Sequence, residues 1–143
     1  DVGITGKDTI LEYGAGMSFY ERLDLKIGLC RMMTAAPVGF AAPTGVLRVA
    51  SKFVNIARSH YHSQGCQVEL IKLTGAMEIA PVLGLADCIV DIVDTGNTLR
   101  ANGLEAMDVI CDISTRVIVN RASMKTKFAD VQTLVQQLAA VVG

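Results

Sequence analysis

The chain reads as an α/β protein built around a parallel sheet, and three observations say so. From Val46 onward, short apolar runs alternate with segments of helical spacing three times over. Strands separated by helices make βαβ units with parallel neighbours. Of the 143 residues, 51% are apolar, and the mean hydropathy is +0.42, which calls for heavily buried strands or an oligomer interface. The longest uncharged run, Met32 to Leu47, has 16 residues and holds Pro37, Gly39, Pro43 and Gly45. It is too short and too broken to span a bilayer as a helix.

Taken in order, Asp1 to Thr5 reads as a strand that turns through Gly6-Lys7-Asp8 into a helix ending near Gly14. Another strand is expected around Leu29 to Ala35. Leu47 to Ala50 is a short apolar strand, with Ser51 placed to cap a helix from Lys52 to about Ser63. Phe53, Ile56, Ala57, His60 and Tyr61 fall at helical spacing, and Gly65 ends the segment. Gln67 to Leu73 has the β-branched character of a strand, and a shorter helix runs from Ala76 to about Leu83. Ala86 to Val93 is a buried strand, Asp94 to Thr98 a turn, and Thr98 to Ala101 a helix stopped at Gly103. Ala106 to Ile113 completes the parallel sheet as its fourth strand. Thr115 to Asn120 is a further strand, followed by a last helix from about Ser123. Its apolar stripe, Phe128, Val131, Val135, Leu138 and Val142, steps by 3, 4, 3 and 4 residues.

The middle, 36–114, is therefore expected to be an inner α/β lobe. The ends, 1–35 and 115–143, read together as a thin outer lobe, with crossings near Ala35 and Ser114. A strand at the first residue implies sheet neighbours outside this chain. An unpaired edge and a bare apolar stripe recruit further chains, so a homo-oligomer through the outer lobe is expected.

With 13 basic and 14 acidic residues scattered along the chain, there is no phosphate-tracking surface for nucleic acid. The first residues show neither a basic region nor an apolar one of the kind that directs export. Cys30, Cys66, Cys88 and Cys111 form no C-x-x-C pair, and free buried thiols fit a reducing, cytoplasmic setting. His60 and His62, two residues apart, point to different helix sides, which argues against a metal site. Gly14-Ala15-Gly16 begins a dinucleotide fingerprint, but Phe19 stands where its third glycine belongs. Met32 and Met33 read as core filling, and Lys125 and Lys127 as solvated surface.

Right-handed crossovers place the turns at Ser51-Lys52, Thr74-Gly75 and Asp94 to Thr98 on one edge of the sheet. That carboxyl edge is where open parallel sheets bind ligands. The strongest chemical signal lies there, in Ile89-Val90-Asp91-Ile92-Val93-Asp94-Thr95-Gly96-Asn97-Thr98-Leu99. Thr95 to Thr98 offer successive backbone N–H groups and two hydroxyls, suited to a phosphate monoester. Gly96 allows close backbone approach, and Asp91 and Asp94 suit ribose hydroxyls, directly or through Mg²⁺. An ordinary Asp-capped turn is the alternative reading of the same residues.

Acidic-x-x-acidic-Thr-Gly-x-Thr after a strand resembles the phosphoribosyl-pyrophosphate (PRPP) loop of phosphoribosyltransferases. Gly3-Ile4-Thr5-Gly6-Lys7-Asp8, Leu23-Asp24-Leu25, Arg48-Val49-Ala50-Ser51-Lys52, Ile71 to Glu78 and Ala101-Asn102-Gly103-Leu104 narrow the resemblance to the ATP phosphoribosyltransferases. The likeness runs in order over essentially the whole chain. It implies a two-lobed core like that of type II periplasmic binding proteins, with the site between the lobes. N1 of ATP would attack C1 of PRPP and expel pyrophosphate with Mg²⁺ assistance, the first step of histidine biosynthesis. By the resemblance, Asp91, Asp94 and Glu78 are catalytic, with Asp91 also the indirect metal contact. Asp94, Thr95, Gly96, Asn97, Thr98 and Leu99 hold PRPP, and Gly6, Lys7, Asp8, Thr74 and Gly75 approach ATP.

The likeness also marks departures. Ala76 stands where the family usually has Ser, and Phe53 where it has Tyr. The family's N-terminal stretch, with a Lys-Gly-Arg segment, has no counterpart in the 143 residues. A chain ending at its amphipathic helix resembles the short form of the family, which works with a separate subunit resembling histidyl-tRNA synthetase. A non-catalytic module that closes on an anion or nucleotide is the other function compatible with the same fold.

Overall fold

Five consecutive buried residues, Met32 to Ala36, mark a strand covered on both faces, and the larger of two units is built around it. The computed structural model describes residues 1–14 and 18–142. The chain divides into a smaller unit, 1–29 with 113–143, and a larger one, 30–112. Among the described residues no helix is long and apolar enough to cross a membrane.

The larger unit holds β3 (Cys30–Pro37), β4 (Leu47–Ser51), α2 (Val54–Ser63), β5 (Val68–Lys72), α3 (Ile79–Val82), β6 (Cys88–Val93), α4 (Asn97–Ala101) and β7 (Leu104–Ile113). Its five strands lie in the order β5-β4-β6-β3-β7. β4 pairs parallel with β5 and β6, as the alternating pattern predicts. The sheet is not parallel throughout. β3 runs antiparallel to β6, Met33 opposite Asp91, and the expected fourth parallel strand is instead β7, beyond β3. The strand assigned to an outer lobe thus belongs to the larger unit, and the division falls at 29/30 and 112/113 rather than near 35 and 114. The physical reason is β3's apolar content, Met-Met-Thr-Ala-Ala, which a two-sided core buries and a thin lobe cannot. Met33, Ala35, Ala50, Met77, Ala80, Ala86, Ile89, Val93, Leu99 and Leu104 form that core.

Ser51 does not cap α2 directly. Fully buried, its hydroxyl donates to the Val90 carbonyl at 2.7 Å and accepts the Phe53 N–H at 2.8 Å. It stitches β4 to β6 while turning the chain into the helix. Of the four cysteines, Cys88 is buried, Cys66 is exposed, and Cys30 and Cys111 are in between. Met32 and Met33 are both buried.

In the smaller unit, β1 (Val2–Gly6) runs straight into α1 (Lys7–Tyr13) without an intervening turn. β2 (Phe19–Asp24), β8 (Thr115–Asn120), α5 (Arg121–Thr126) and α6 (Phe128–Val142) complete it. β8 is central, antiparallel to both β1 and β2. β2 was not expected as a strand: its charged Glu21 and Arg22 and the register shift between Glu21 and Leu23 hide the two-residue period. The last helix is broken at Lys127 into α5 and α6, and Asn120 caps α5 by accepting the Ala122 N–H at 2.8 Å. Val119, Val131 and Val135 form the core of this unit, whereas Phe128 at the head of the stripe is 55% exposed. The Gly14-Ala15-Gly16 segment lies mostly outside the described residues.

Candidate functional site

β6 leads into the site. Its Ile89, Val90 and Val93 are buried, which fixes the strand and leaves Asp91 half-buried near its carboxyl end. The chain then turns through Asp94, Thr95 and Gly96 into α4. Gly96 has φ +79° and ψ 6°, a left-handed conformation that favours glycine. Val93 and Leu99 sink into the core on either side of the turn, so the loop is pinned at both ends while Asp94, Thr95, Asn97 and Thr98 remain exposed.

Glu78 reaches the same place from the adjacent crossover. Ala76 takes φ +56°, a strain of roughly 1–2 kcal/mol for a residue with a Cβ. It is held by Met77, which is buried in the core, and by the Ile79 N–H on the Ala76 carbonyl at 3.2 Å. Glu78, Asp91, Asp94, Thr95, Gly96, Asn97, Thr98 and Leu99 line one cavity of about 230 Å³ at the carboxyl edge of the parallel strands. The residues expected to be catalytic and those expected to hold PRPP are brought together there. Leu99 takes part by packing, its side chain being buried in the core.

Burial pushes the Asp91 carboxyl above the usual range. The Ile92 N–H, 2.8 Å from Asp91 Oδ1, draws it down. The neighbouring Glu78 carboxylate pushes it up, and the Lys52 ammonium again lowers it. Glu78, Asp91 and Asp94 thus bring three carboxylates to one cavity, hard-oxygen donors of the kind that suits Mg²⁺. Among the described residues, no group of three or more His, Cys, Asp or Glu side chains forms a metal cage.

The residues implied for ATP are distributed differently. Thr74 is exposed, and Gly75 lines a separate apolar hollow with Leu73, Ala76, Ile79 and Leu83. Gly6, Lys7 and Asp8 stand at the junction of β1 and α1 in the smaller unit. Lys7 Nζ is engaged there by Glu21 Oε2 at 2.8 Å, a partner that escapes sequence reading once β2 goes unrecognised. Arg100 also escaped it, although it lies four residues after Gly96, one helical turn on, where its side chain returns to the loop.

The profile of the family described as ATP phosphoribosyltransferase matches residues 1–140. An ATP phosphoribosyltransferase of Pseudomonas fluorescens (strain SBW25) is 58% identical over 142 residues, 99% of this chain and 67% of the relative. One of Saccharophagus degradans is 58% identical over 143 residues, all of this chain and again 67% of the relative. The chain thus spans about two thirds of the length of these curated relatives. Among solved structures, the ATP phosphoribosyl transferase (HisG:HisZ) complex from Thermotoga maritima superposes with a TM-score of 0.89 at 38% identity. It covers 99% of this chain and 70% of that one. A periplasmic transporter at 12% identity and TM-score 0.60, covering 99% of this chain and 63% of its own, shares the fold.

Proposed function

The chain belongs to the ATP phosphoribosyltransferase family, and on that premise we propose that the carboxyl edge of its five-stranded sheet binds PRPP. The family's reaction transfers the phosphoribosyl group of PRPP to N1 of ATP, releases pyrophosphate and begins histidine biosynthesis. The observation that carries the proposal is the convergence of Glu78 and Asp91 with residues 94–99 in a single cavity.

In this reading the N–H groups and hydroxyls of Thr95 to Thr98 take the 5′-phosphate, with Gly96 admitting it against the backbone. Asp94 holds ribose hydroxyls at the exit of β6. Asp91 and Glu78 place negative charge near C1, where the sugar gains positive charge as pyrophosphate leaves. Mg²⁺, when bound, would be held by Asp91 and Glu78 together with substrate oxygens and would offset the charge of the departing pyrophosphate. Gly6, Lys7, Asp8, Thr74 and Gly75 serve ATP, and Lys7 must exchange Glu21 for a phosphate to do so. Orientation and placed charge matter more here than a strong base, because the nucleophile is a ring nitrogen with a lone pair already available.

The partner in this reading is a regulatory subunit resembling histidyl-tRNA synthetase, which the HisG:HisZ complex from Thermotoga maritima supports. The setting is cytoplasmic, where ATP and PRPP are made. Self-association is supported by Phe128, 55% exposed, and Val141, 86% exposed, on α6, and light scattering reads it. The test of the function is pyrophosphate release from ATP and PRPP by the full-length protein with Mg²⁺. Formation of phosphoribosyl-ATP is expected; tight PRPP binding without turnover would instead mark a binding module.

A further inference from the structure

We propose that Arg100 is a positioning residue for the phosphate loop: its guanidinium straps Thr95 to Asn97 from behind and supplies the fixed positive charge that the short α4 cannot. The proposal rests on the PRPP reading of residues 94–99. Arg100 Nη2 donates to the Thr95 carbonyl at 3.2 Å and to Asn97 Oδ1. Its Nη1 lies 3.1 Å from where a Cβ on residue 96 would stand. One tip of the guanidinium therefore sits against Gly96, on the side a side chain there would fill. The Arg100 N–H also returns to the Gly96 carbonyl at 3.1 Å, so one residue binds three successive positions of the loop.

Two consequences follow for an anion. The Thr95 carbonyl and the Asn97 side-chain oxygen would both repel a phosphate, and both are turned onto the guanidinium instead. A helix of five residues is below the length at which helical structure holds itself, and its end supplies little charge. The delocalised guanidinium provides that charge, and its Nη2 alone reaches both acceptors, while the charge stays fixed at any working pH. Among the described residues, the cavity lining holds the acidic Glu78, Asp91 and Asp94 and no lysine or arginine, and Lys52 bears on Asp91 rather than on the loop.

The test compares Arg100→Gln and Arg100→Lys with the parent in the full-length protein, reading KM for each substrate and kcat separately. Arg100→Gln is expected to raise the KM for PRPP about tenfold, through loss of the charge and of the Nη2 hydrogen bonds to Thr95 and Asn97. Arg100→Lys should raise it less, since it keeps the charge. The KM for ATP and kcat at saturating PRPP should move less than about twofold, because the strap acts on one ligand only. A PRPP KM unchanged in both variants, or a uniform loss across both substrates and kcat, overturns the proposal. Gly96→Val in the same assay separates the two levels. If it too binds PRPP normally, the loop assignment fails. If it loses PRPP while Arg100→Gln does not, the loop assignment stands and the role of Arg100 falls.

Discussion

Each unit holds a pair of carboxylates, and the two pairs sit in opposite electrical surroundings. In the smaller unit, burial pushes Glu21 up, but Lys7 and Arg116 at 2.8 and 2.7 Å outweigh it and hold it below the usual range. Asp24 is held low by the Ser114 hydroxyl and the Lys26 N–H. In the larger unit, Asp91 is pushed up by burial, the Glu78 carboxylate adds to the rise, and neither has an ion pair among the described residues. Residues of the same chemistry are scaffold where cations already satisfy them. Where burial and a neighbouring carboxylate outweigh the nearest cation beside a cavity, they are poised for a ligand.

The sharpest break of that comparison is Gly96→Val. It places a branched side chain at φ +79°, against the Arg100 guanidinium. PRPP or AMP affinity should fall by about a hundredfold or more, since the close backbone approach is lost, while circular dichroism stays that of the parent. Calorimetry with unchanged affinity would remove the larger unit's claim to the ligand.

Next in size is Asp91→Asn. At saturating Mg²⁺ the rate should drop about tenfold to a hundredfold without loss of stability. A carboxyl raised in the folded state contributes stability that is fully present below its unfolded pKa, near ~3.9, and is lost as pH rises through the folded value. The Asn variant should lack that loss, so its denaturation midpoint should overtake the parent's as pH rises through that window. An unfolded variant, or one with normal turnover, would make Asp91 a structural cap.

The smallest effect is expected from Glu21→Gln. Its depressed pKa contributes stability present above the unfolded value, near ~4.3, and lost as pH falls through the folded one. The substitution should cost about 1 kcal/mol or less at neutral pH, because partly exposed pairs are screened, and nothing once the parent's Glu21 is protonated. A PRPP KM that followed this change would blur the contrast between the two units.

Much of this was legible in the residues themselves. β4, β5 and β6 announce themselves as local apolar runs between helical stretches, and Asp91 to Leu99 carry their chemistry in one contiguous motif. What stayed hidden depends on partners distant along the chain. β3 looks like any apolar strand, and nothing in Met32 to Ala36 says that Asp91 and its neighbours run antiparallel beside it. β2 is masked by its own charges, and with it the Lys7–Glu21 pair that occupies a candidate ATP contact. The break at Lys127 falls just before the apolar stripe that opens at Phe128, and the strap made by Arg100 needs the left-handed turn at Gly96 to bring it home.

The central place of β8 has a consequence for how the molecule comes into being. Val2 pairs with Val119, more than one hundred residues away, and among the described residues β8 is the strand partner of both β1 and β2. On the ribosome, β1 and β2 emerge before β8, the strand with which both pair. Every strand of the larger unit is translated in the interval between β2 and β8. Domains assemble as their residues become available, so the sheet bearing Asp91 and Gly96 can close first, and the smaller unit last, when Thr115 to Asn120 arrives between its two flanking strands. Pairing over so long a span of sequence is slow, and until β8 arrives the edges it will cover are open to mispairing.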